Sequence, residues 1–373
     1  GARIEERFRP MTGNSTKLAP LTLSETDTVR DAMAAIDRGA RQIALVLAPD
    51  GKLVATVTDG DIRRGLLRGV GLDAPVNEVM HTGFIAITDA EGHKAAFNLM
   101  QARRLHHVPI LDNDGRLVDL ATVEEVPGLV QRNTNVVLMA GGLGTRLRPL
   151  TETVPKPMLE VGNKPILELI LRNFTEQGFH NFTISLNYKG EMIREHFGDG
   201  SEFDARITYV QETKRLGTAG ALSLLETRPK SPFIVMNADL LTTIPFDAVL
   251  RFHEETGAVG TMCARNYAMQ VPYGVIEVED TALKGIVEKP THSHLVNAGI
   301  YVLSPAALDY VVADEFLDMP NLFERVMKSG ARASVFPIQE YWMDIGRPED
   351  LHQARTEYED VFGLRIGDGA NHD

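Results

Sequence analysis

The sequence predicts an α/β domain with a mostly parallel sheet, preceded by a smaller module built from a repeated α+β unit. Two observations lead to this prediction. From residue 134 onward, apolar strands alternate with amphipathic helices, as in a parallel sheet covered by helices. Residues 20–127 show one pattern twice, at a period of about 64 residues. A chain of 373 residues is long enough for two or three domains.

Composition excludes several classes of protein. The net charge of −13 argues against a general nucleic-acid surface, which needs clustered Lys and Arg. The single cysteine, Cys263, excludes an intrachain disulfide framework and a thiolate zinc site, and its apolar surroundings predict a buried strand residue. Because no long apolar run or signal-peptide core is present, we expect no membrane partner and a cytoplasmic location.

The repeat is clearest in two similar segments, DGKLVATVTDGDI (Asp50–Ile62) and DGRLVDLATVEEV (Asp114–Val126). A helical pattern precedes each segment, at residues 28–39 and 92–104. Each copy is therefore predicted to run helix, strand, Asp-Gly hairpin, strand, helix. We expect residues 1–19 to be a separate N-terminal segment.

The pair of copies resembles tandem CBS domains, most closely in VTDGDIRR (Val57–Arg64). The resemblance implies a module for regulation or oligomerisation that binds an adenine or guanine nucleotide. Thr58 and Asp61 would hold the ligand in the first copy, and Thr122 and Glu125 in the second, where Glu replaces the usual Asp. The alternative is that Thr58 and Thr122 cap the helices that follow them.

A glycine-rich loop opens the second domain. The apolar strand Asn135–Met139 runs into AGGLG (Ala140–Gly144), and Arg146 follows two residues later. Glycines let backbone amides approach an anion closely, and a guanidinium is suited to phosphate oxygens. These features predict a phosphate-binding loop, with a glycine-rich hairpin as the alternative.

The loop and its continuation, GGLGTRLRPLT followed by PKP, resemble the sugar-phosphate nucleotidyltransferases. The resemblance covers residues 134–373 and implies a Rossmann-like, mixed and mostly parallel sheet. It implies Mg²⁺-dependent transfer of a nucleotidyl group from a nucleoside triphosphate to a sugar 1-phosphate. The residues that would then contact the nucleotide are Leu138, Ala140, Gly141, Gly142, Gly144, Thr145, Gln211, Gly217 and Thr218. For Gln211 an exposed edge-strand position is the alternative.

Two aspartates are candidate metal ligands. Asp239 follows an apolar strand, and ligands bind at the carboxyl ends of parallel strands. Asp344 is the second candidate, because Mg²⁺ favours one or two carboxylates plus substrate phosphates. Helix capping near Pro348 is the alternative for Asp344. Arg146 and Lys156 are the predicted catalytic cations on the nucleotide side.

The acceptor side is predicted from three short motifs: Tyr273-Gly274 at a hairpin, Glu288-Lys289-Pro290, and Asn297. The resemblance implies that Gly274, Glu288 and Asn297 bind the sugar and that Lys289 meets its phosphate. The alternative for Glu288 and Lys289 is an exposed ion pair on a hairpin.

Two helices complete the prediction. One is expected to be capped by Asn163 and to end at Gly178, with Ile166, Leu167, Ile170, Leu171 and Phe174 buried. The other covers residues 348–361. The sequence leaves the base open among G, U, T and C, with GTP favoured, and leaves a non-catalytic sensor as the alternative function. We expect a homo-oligomer, since the resemblance to tandem CBS domains implies a module that often associates with a second copy of itself.

Overall fold

The computed structural model describes residues 18–39, 41–103, 105–122, 133–358 and 361. The chain divides into two compact units, Gly1–Gln131 and Arg132–Asp373. No helix in the described part of the chain is long and apolar enough to cross a membrane.

The front unit contains two copies of one small fold. The first consists of β1 (Thr22–Ser24), α1 (Val29–Gly39), β2 (Ile43–Leu47), β3 (Leu53–Thr58) and α2 (Asp59–Leu67). The second consists of β4 (Ile87–Thr88), α3 (Gly92–Arg103), β5 (His107–Leu111) and β6 (Leu117–Thr122). In each copy the first strand lies parallel to the second, and the second lies antiparallel to the third. The predicted repeat is confirmed up to its third strand, and the predicted closing helix of the second copy lies outside the described residues.

The Asp-Gly turns of the two copies meet. Gly51 and Gly115 have φ angles of 84° and 81°, in the left-handed region that glycine adopts without strain. Leu53 N donates to Gly115 O at 3.1 Å, and Leu117 N donates to Gly51 O at 3.4 Å. This near-symmetric exchange joins the hairpins over a shared apolar cluster that includes Leu45 and Leu120.

The second unit is built around one large sheet. The strands of the second unit as a whole are β7 (Asn135–Met139), β8 (Glu160–Val161), β9 (Lys164–Pro165), β10 (Asn181–Leu186), β11 (Arg206–Gln211), β12 (Phe233–Asn237), β13 (Leu240–Thr242), β14 (Gly260–Gln270), β15 (Val275–Glu279), β16 (Ala282–Val287), β17 (Thr291–Leu303), β18 (Ala333–Ile338) and β19 (Trp342–Asp344). Its helices are α4 (Ile166–Glu176), α5 (Gly190–Phe197), α6 (Gly217–Gly220), α7 (Phe246–Thr256), α8 (Met319–Lys328) and α9 (Pro348–Tyr358).

Seven of these strands form the sheet in the order β11-β10-β7-β12-β17-β14-β18. β17 runs antiparallel to both of its neighbours, and the other pairings are parallel. The predicted mixed, mostly parallel sheet is confirmed. β7 lies between β10 and β12. The chain therefore continues from β7 to β10 and β11 on one side of it, and then crosses to β12 on its other side. Such a switch point opens a crevice at the carboxyl ends of the strands.

The helix α4 confirms one part of its prediction and corrects another. Ile166, Leu167, Ile170, Leu171 and Phe174 are all buried, and Phe174 stacks on a second phenylalanine with ring centroids 3.8 Å apart. The predicted cap is wrong. Asn163 lies in the turn between β8 and β9, which pair with each other, and the helix begins after Pro165. The short hairpin takes up the residues that a capping turn would have used.

β14 and β17 continue past the sheet as a two-stranded ribbon, residues 265–296, whose outer part is the β15–β16 hairpin. All five residues of β15 are exposed. Since successive side chains in a strand point to opposite faces, both faces of this part of the ribbon are uncovered. Its exposed apolar residues include Tyr273, Ile276 and Ile286.

Candidate active site

The glycine-rich loop leaves the carboxyl end of β7 and is held at both ends. Ala140 N donates to Ser185 O at 3.0 Å, and Thr151 Oγ1 donates to Gly144 O at 2.8 Å. Gly144 has a φ of +62°, and a Cβ there would lie 2.9 Å from Thr151 Cγ2. Only glycine fits this position without strain. The loop is therefore fixed in shape while Gly142 and Thr145 remain exposed.

Arg146 stands at the end of this loop. Its side chain is exposed and makes no hydrogen bond or ion pair with any residue that the structure describes. A Cβ placed on Gly346 would lie 3.5 Å from Arg146 Nη1 and 3.5 Å from Asp344 Oδ2. The guanidinium therefore stands beside one of the two predicted metal ligands, with its donors available to an anion.

Lys156 and the two aspartates form one cluster. The Lys156 ammonium pairs with Asp239 and lies 3.8 Å from Asp344 Oδ1. Lys156 is 8% exposed, so this cation is held by the fold. The structure thus brings together four of the residues predicted from the sequence, since Arg146 adjoins Asp344.

Two short strands carry the aspartates to each other. Asp239 follows β12 and directly precedes β13, and Asp344 ends β19. β13 and β19 pair antiparallel with Leu240 opposite Asp344, and Ile345 N donates to Asp239 O at 3.0 Å. Asp344 therefore lies in a strand next to Asp239, and capping of α9 is performed by Asp350, whose carboxylate accepts from Gly346 N and Arg347 N.

The carboxylate pair has the character of a cation site. Burial, followed by the charge of Asp239, raises the pKa of Asp344, and the charges of Lys156 and Arg146 oppose this rise. Asp239 Oδ1 is buried without a hydrogen-bond partner in the described structure. An orphaned, buried carboxylate oxygen beside a second carboxylate suits a hard divalent cation. The described residues contain no group of three or more His, Cys, Asp or Glu side chains that could hold a metal.

The side of the loop where a base would bind shows a residue that the sequence prediction missed. Gln211 is exposed, and its Nε2 reaches only the carbonyls of Leu186 and Glu212, each at 3.4 Å. Its neighbour Glu212 points to the loop: a Cβ on Gly141 would lie 2.4 Å from Glu212 Oε1. Ser185 Oγ donates to Oε1 at 2.9 Å, and Leu216 N donates to Oε2 at 3.2 Å.

A second glycine-containing turn, at the start of α6, is held by residues 317–319. Gly217 has a φ of +80°, and a Cβ there would lie 2.6 Å from Leu317 O. Thr218 N and Oγ1 both donate to Asp318 Oδ1, and Thr218 Oγ1 accepts from Met319 N at 2.8 Å. The Thr218 hydroxyl therefore makes its hydrogen bonds within the fold. Leu138, another predicted nucleotide contact, is fully buried in the middle of β7.

The predicted acceptor residues Gly274, Glu288 and Lys289 lie on the ribbon. Lys289 N donates to Tyr273 O at 3.2 Å, and a Cβ on Gly274 would lie 3.0 Å from Glu288 Oε2. The side chains of Glu288 and Lys289 are exposed. Neither makes a hydrogen bond or an ion pair with the Lys156 cluster among the described residues.

Asn297, the remaining acceptor candidate, lies at the base of the ribbon. Its Nδ2 donates to Tyr301 Oη at 2.8 Å, and its Oδ1 accepts from Gly299 N at 3.0 Å. Gly299 has a φ of +70°, and a Cβ there would lie 2.8 Å from Asn237 Nδ2. The absence of a side chain at Gly299 therefore lets the Asn297 turn approach the end of β12, close to Asp239.

Two further residues that the sequence did not single out support the site. Lys189 Nζ donates to the carbonyls of Glu152 and Thr153 at 2.7 and 2.9 Å, just before Lys156. Trp342 Nε1 donates to Ala298 O at 2.8 Å and so ties the strand of Asp344 to the turn of Asn297. No sequence motif predicts the role of either residue, because the partners of both are backbone carbonyls far away in the sequence.

In the front unit, Thr58 and Asp61 form a capping box at the start of α2. Thr58 N and Oγ1 donate to Asp61 Oδ2 at 2.9 and 2.7 Å, and Asp61 N donates to Thr58 Oγ1 at 3.2 Å. This is the alternative arrangement that the sequence left open for the first copy. Thr122 is buried at the end of β6, and Glu125 lies outside the described residues.

Comparison with known proteins identifies both units. A family model described as nucleotidyl transferase matches residues 135–361, and one described as CBS domain matches residues 16–68 and 76–126. A mannose-1-phosphate guanyltransferase of Kluyveromyces lactis is 36% identical over 232 residues, which cover 60% of this chain and 64% of that protein. A mannose-1-phosphate guanylyltransferase catalytic subunit beta of Xenopus tropicalis is 34% identical over 223 residues, covering 58% and 62%. The chain thus spans somewhat less than two thirds of the length of these relatives.

A solved structure supports the fold. A Bacillus anthracis protein, provisionally named a glucose-1-phosphate thymidylyltransferase and crystallised with sucrose, matches with a TM-score of 0.50 at 20% identity. The match covers 61% of this chain and 96% of that protein.

Proposed function

The chain belongs to the nucleotidyl transferase family and carries tandem CBS domains, and we propose that it transfers a nucleotidyl group from a nucleoside triphosphate to a sugar 1-phosphate. The observation that carries the proposal is the convergence of Lys156, Asp239 and Asp344 beside Arg146, at the carboxyl edge of the parallel strands. The names of the relatives, mannose-1-phosphate guanyltransferases, support guanylyl transfer to a hexose phosphate.

The chemistry requires little beyond position and charge. An oxygen of the sugar phosphate forms a bond to the α-phosphorus, the bond from that phosphorus to the bridging oxygen breaks, and pyrophosphate leaves. The nucleophile is already an anion, so no side chain has to remove a proton. The main obstacle is repulsion between two polyanions, and fixed cations reduce it.

Each residue of the cluster has a role in this scheme. Asp239 and Asp344 would hold Mg²⁺, which supplies charge neutralisation between the two phosphate groups when it is bound. Arg146, with its donors available, binds the departing pyrophosphate. Lys156 lies buried against the carboxylates and orients the phosphate nearest to them. Lys289 on the ribbon binds the phosphate of the incoming sugar.

Glu212 supports guanine as the base. An ionised carboxylate only accepts hydrogen bonds. Guanine presents two adjacent donors, N1–H and the N2 amino group, which suit a carboxylate. Uracil and thymine present one N–H between two carbonyls, which a carboxylate would repel. Because Glu212 faces the loop while Gln211 faces solvent, we propose that Glu212 reads the base and that GTP is the donor.

One set of assays tests the reaction and the base together. Pyrophosphate release is measured for GTP, UTP, dTTP and CTP against mannose 1-phosphate, glucose 1-phosphate and glucosamine 1-phosphate. Release with none of these pairs contradicts the transfer reaction. In Glu212→Gln, kcat/KM for GTP should fall by a factor of about 5 to 150, the range of one good base contact. Gln211→Ala is the neighbouring control. A larger loss of GTP preference in Gln211→Ala than in Glu212→Gln would return the role to Gln211.

We also propose that the tandem CBS domains bind an adenine or guanine nucleotide or mediate formation of a homo-oligomer. We propose a cytoplasmic location as well, which the presence of only one cysteine favours. The support for the first of these proposals is the match of the CBS domain model to both copies of the repeat, residues 16–68 and 76–126. A ligand at 100 times its Kd would stabilise the folded unit by about 2.7 kcal/mol. Thermal unfolding of the full chain with ATP, ADP, AMP, GTP and GDP measures this. No shift with any of them, in a monomeric chain, contradicts both roles.

A further inference from the structure

The Asn297 amide is held in one orientation by two hydrogen bonds from opposite sides. Gly299 N can only donate, so the atom that faces it at 3.0 Å is Oδ1. Nδ2 consequently faces Tyr301 Oη, at 2.8 Å, and the phenol oxygen accepts. A flipped amide would set an N–H group against the Gly299 N–H group, which costs more than one hydrogen bond because a donor is left unpaired.

We propose that Tyr301 is a positioning residue for the acceptor sugar and that it acts through Asn297. This inference rests on the proposed function. With the amide fixed, one Nδ2–H and one Oδ1 lone pair remain free, and Asn297 itself is exposed. One donor and one acceptor at a fixed separation match a hydroxyl group or a pair of adjacent hydroxyl groups on a pyranose. An amide free to rotate would present this pattern only part of the time.

Tyr301 is itself immobilised by packing. It lies in β17, is 3% exposed, and contacts Phe323 with ring centroids 5.8 Å apart. Burial raises the pKa of Tyr301 to about 12, so the hydroxyl stays protonated at neutral pH. The bond to Asn297 is therefore one between neutral groups, so its loss should weaken sugar binding rather than abolish it.

The same turn is connected to the metal side of the site. Ala298 O, next to Asn297, accepts from Trp342 Nε1, and Trp342 lies two residues before Asp344. Trp342 is also the single tryptophan of the chain. Its fluorescence therefore reports on the Asn297 turn without interference from another indole.

The first test compares Tyr301→Phe with Tyr310→Phe. Tyr310 is a matched control because its hydroxyl also makes one side-chain hydrogen bond, to Ser329 Oγ at 2.8 Å, but does not contact Asn297. In Tyr301→Phe, KM for mannose 1-phosphate should rise by roughly 2- to 12-fold, the range set by one neutral hydrogen bond. KM for GTP and the melting temperature should stay close to those of Tyr310→Phe. Equal rises in both KM values, or an unchanged KM for the sugar phosphate, would overturn the proposal.

A double-mutant cycle separates positioning through Asn297 from an independent effect. In an Asn297→Ala background, Tyr301→Phe should raise KM for mannose 1-phosphate no further, because the group that Tyr301 orients has been removed. Effects that multiply would overturn the inference, since Tyr301 would then act without Asn297.

Binding provides a readout that does not depend on turnover. Mannose 1-phosphate is titrated into the full chain while Trp342 fluorescence is recorded, and Kd should rise in Tyr301→Phe by the same factor as KM. A wild-type chain that neither binds the sugar phosphate nor releases pyrophosphate contradicts the proposed function and the inference with it. A normal wild-type chain with an unchanged Tyr301→Phe variant contradicts the inference alone.

Discussion

The candidate site has two halves that the fold holds in different ways. We call Lys156, Asp239 and Asp344 the donor half, since they are proposed to act on the nucleotide donor, and we call the ribbon residues proposed to bind the sugar phosphate the acceptor half. Lys156, Asp239 and Asp344 lie at the carboxyl edge of the large sheet, and Lys156 is almost fully buried. Glu288 and Lys289 lie on a two-stranded ribbon whose hairpin is exposed on both faces. Asn297 stands between them, at the point where the ribbon leaves the sheet.

This difference indicates a division of tasks. Lys156 and Asp239 are held by their contacts within the fold, an arrangement that suits catalysis by charge and position. No third strand pairs with the β15–β16 hairpin in the described part of the chain, so its geometry is less constrained than that of the large sheet. We therefore expect substitutions in the donor half to affect turnover and substitutions in the ribbon to affect sugar binding.

The largest effect is expected for Asp239→Asn. Removing one charge from the carboxylate pair should lower the rate of pyrophosphate release about a thousandfold, which corresponds to about 4 kcal/mol. Asp280→Asn is the matched control, since Asp280 lies exposed in the ribbon turn with a φ of 52°, which asparagine tolerates. Release within about tenfold of wild type in Asp239→Asn would remove the donor half from the mechanism.

The end of β14 and β17 that lies away from the ribbon should be less stable in acid. His253 is buried and bonds Thr261 Oγ1 in β14 and Ser304 Oγ after β17, both at 2.8 Å. Burial lowers the pKa of His253 from 6.5 to about 4, so the unfolded chain binds the extra proton between these values. The contribution to stability is complete above pH 6.5 and is lost as the pH falls through 4, by up to about 3 kcal/mol.

Chemical denaturation between pH 7.5 and 4.5 measures this dependence. His253→Gln should flatten it, whereas His352→Gln, at an exposed position of α9, should leave it unchanged. Parallel pH profiles for wild type and His253→Gln would exclude His253 as the cause.

A smaller effect is expected on the ribbon itself. Lys289→Ala should raise KM for mannose 1-phosphate about tenfold, or 1.4 kcal/mol, because one cation facing the sugar phosphate is lost. KM for GTP should not change. Lys284→Ala is the control, since Lys284 pairs with Glu279 within the same hairpin. If both variants behave alike, the ribbon is not the acceptor half.

The smallest effect separates the apolar surface of the ribbon from the core. Ile276 is 59% exposed, and Ile276→Ala should change the free energy of unfolding by no more than about 0.5 kcal/mol. Ile300→Ala, on the fully buried part of β17, should cost about 2–5 kcal/mol. A large cost for Ile276→Ala in urea denaturation would show that the ribbon is packed in solution.

The sequence by itself determined those features of the fold and of the candidate site that depend on the chemistry of neighbouring residues. Periodicity gave the repeat and the alternation of strands and helices, because side-chain direction follows directly from backbone geometry. The glycine loop was recognisable because backbone angles such as that of Gly144 are open to few other residues. The sequence predicts that Asp239 lies at the carboxyl edge of the sheet, because an acid after an apolar parallel strand lies there, and the structure shows this position.

The tertiary structure decided whatever depends on contacts between distant segments. The pairing of β13 with β19 brings Asp344 to Asp239, and no local pattern contains that information. Glu212, and not Gln211, faces the loop because of the side on which the end of β11 meets it, and a shift of one residue would reverse that side. Trp342 and Lys189 donate hydrogen bonds to backbone carbonyls that are 44 and 36 to 37 residues away in the sequence. Such bonds carry no sequence signature, because each forms only after packing has set the positions of both groups.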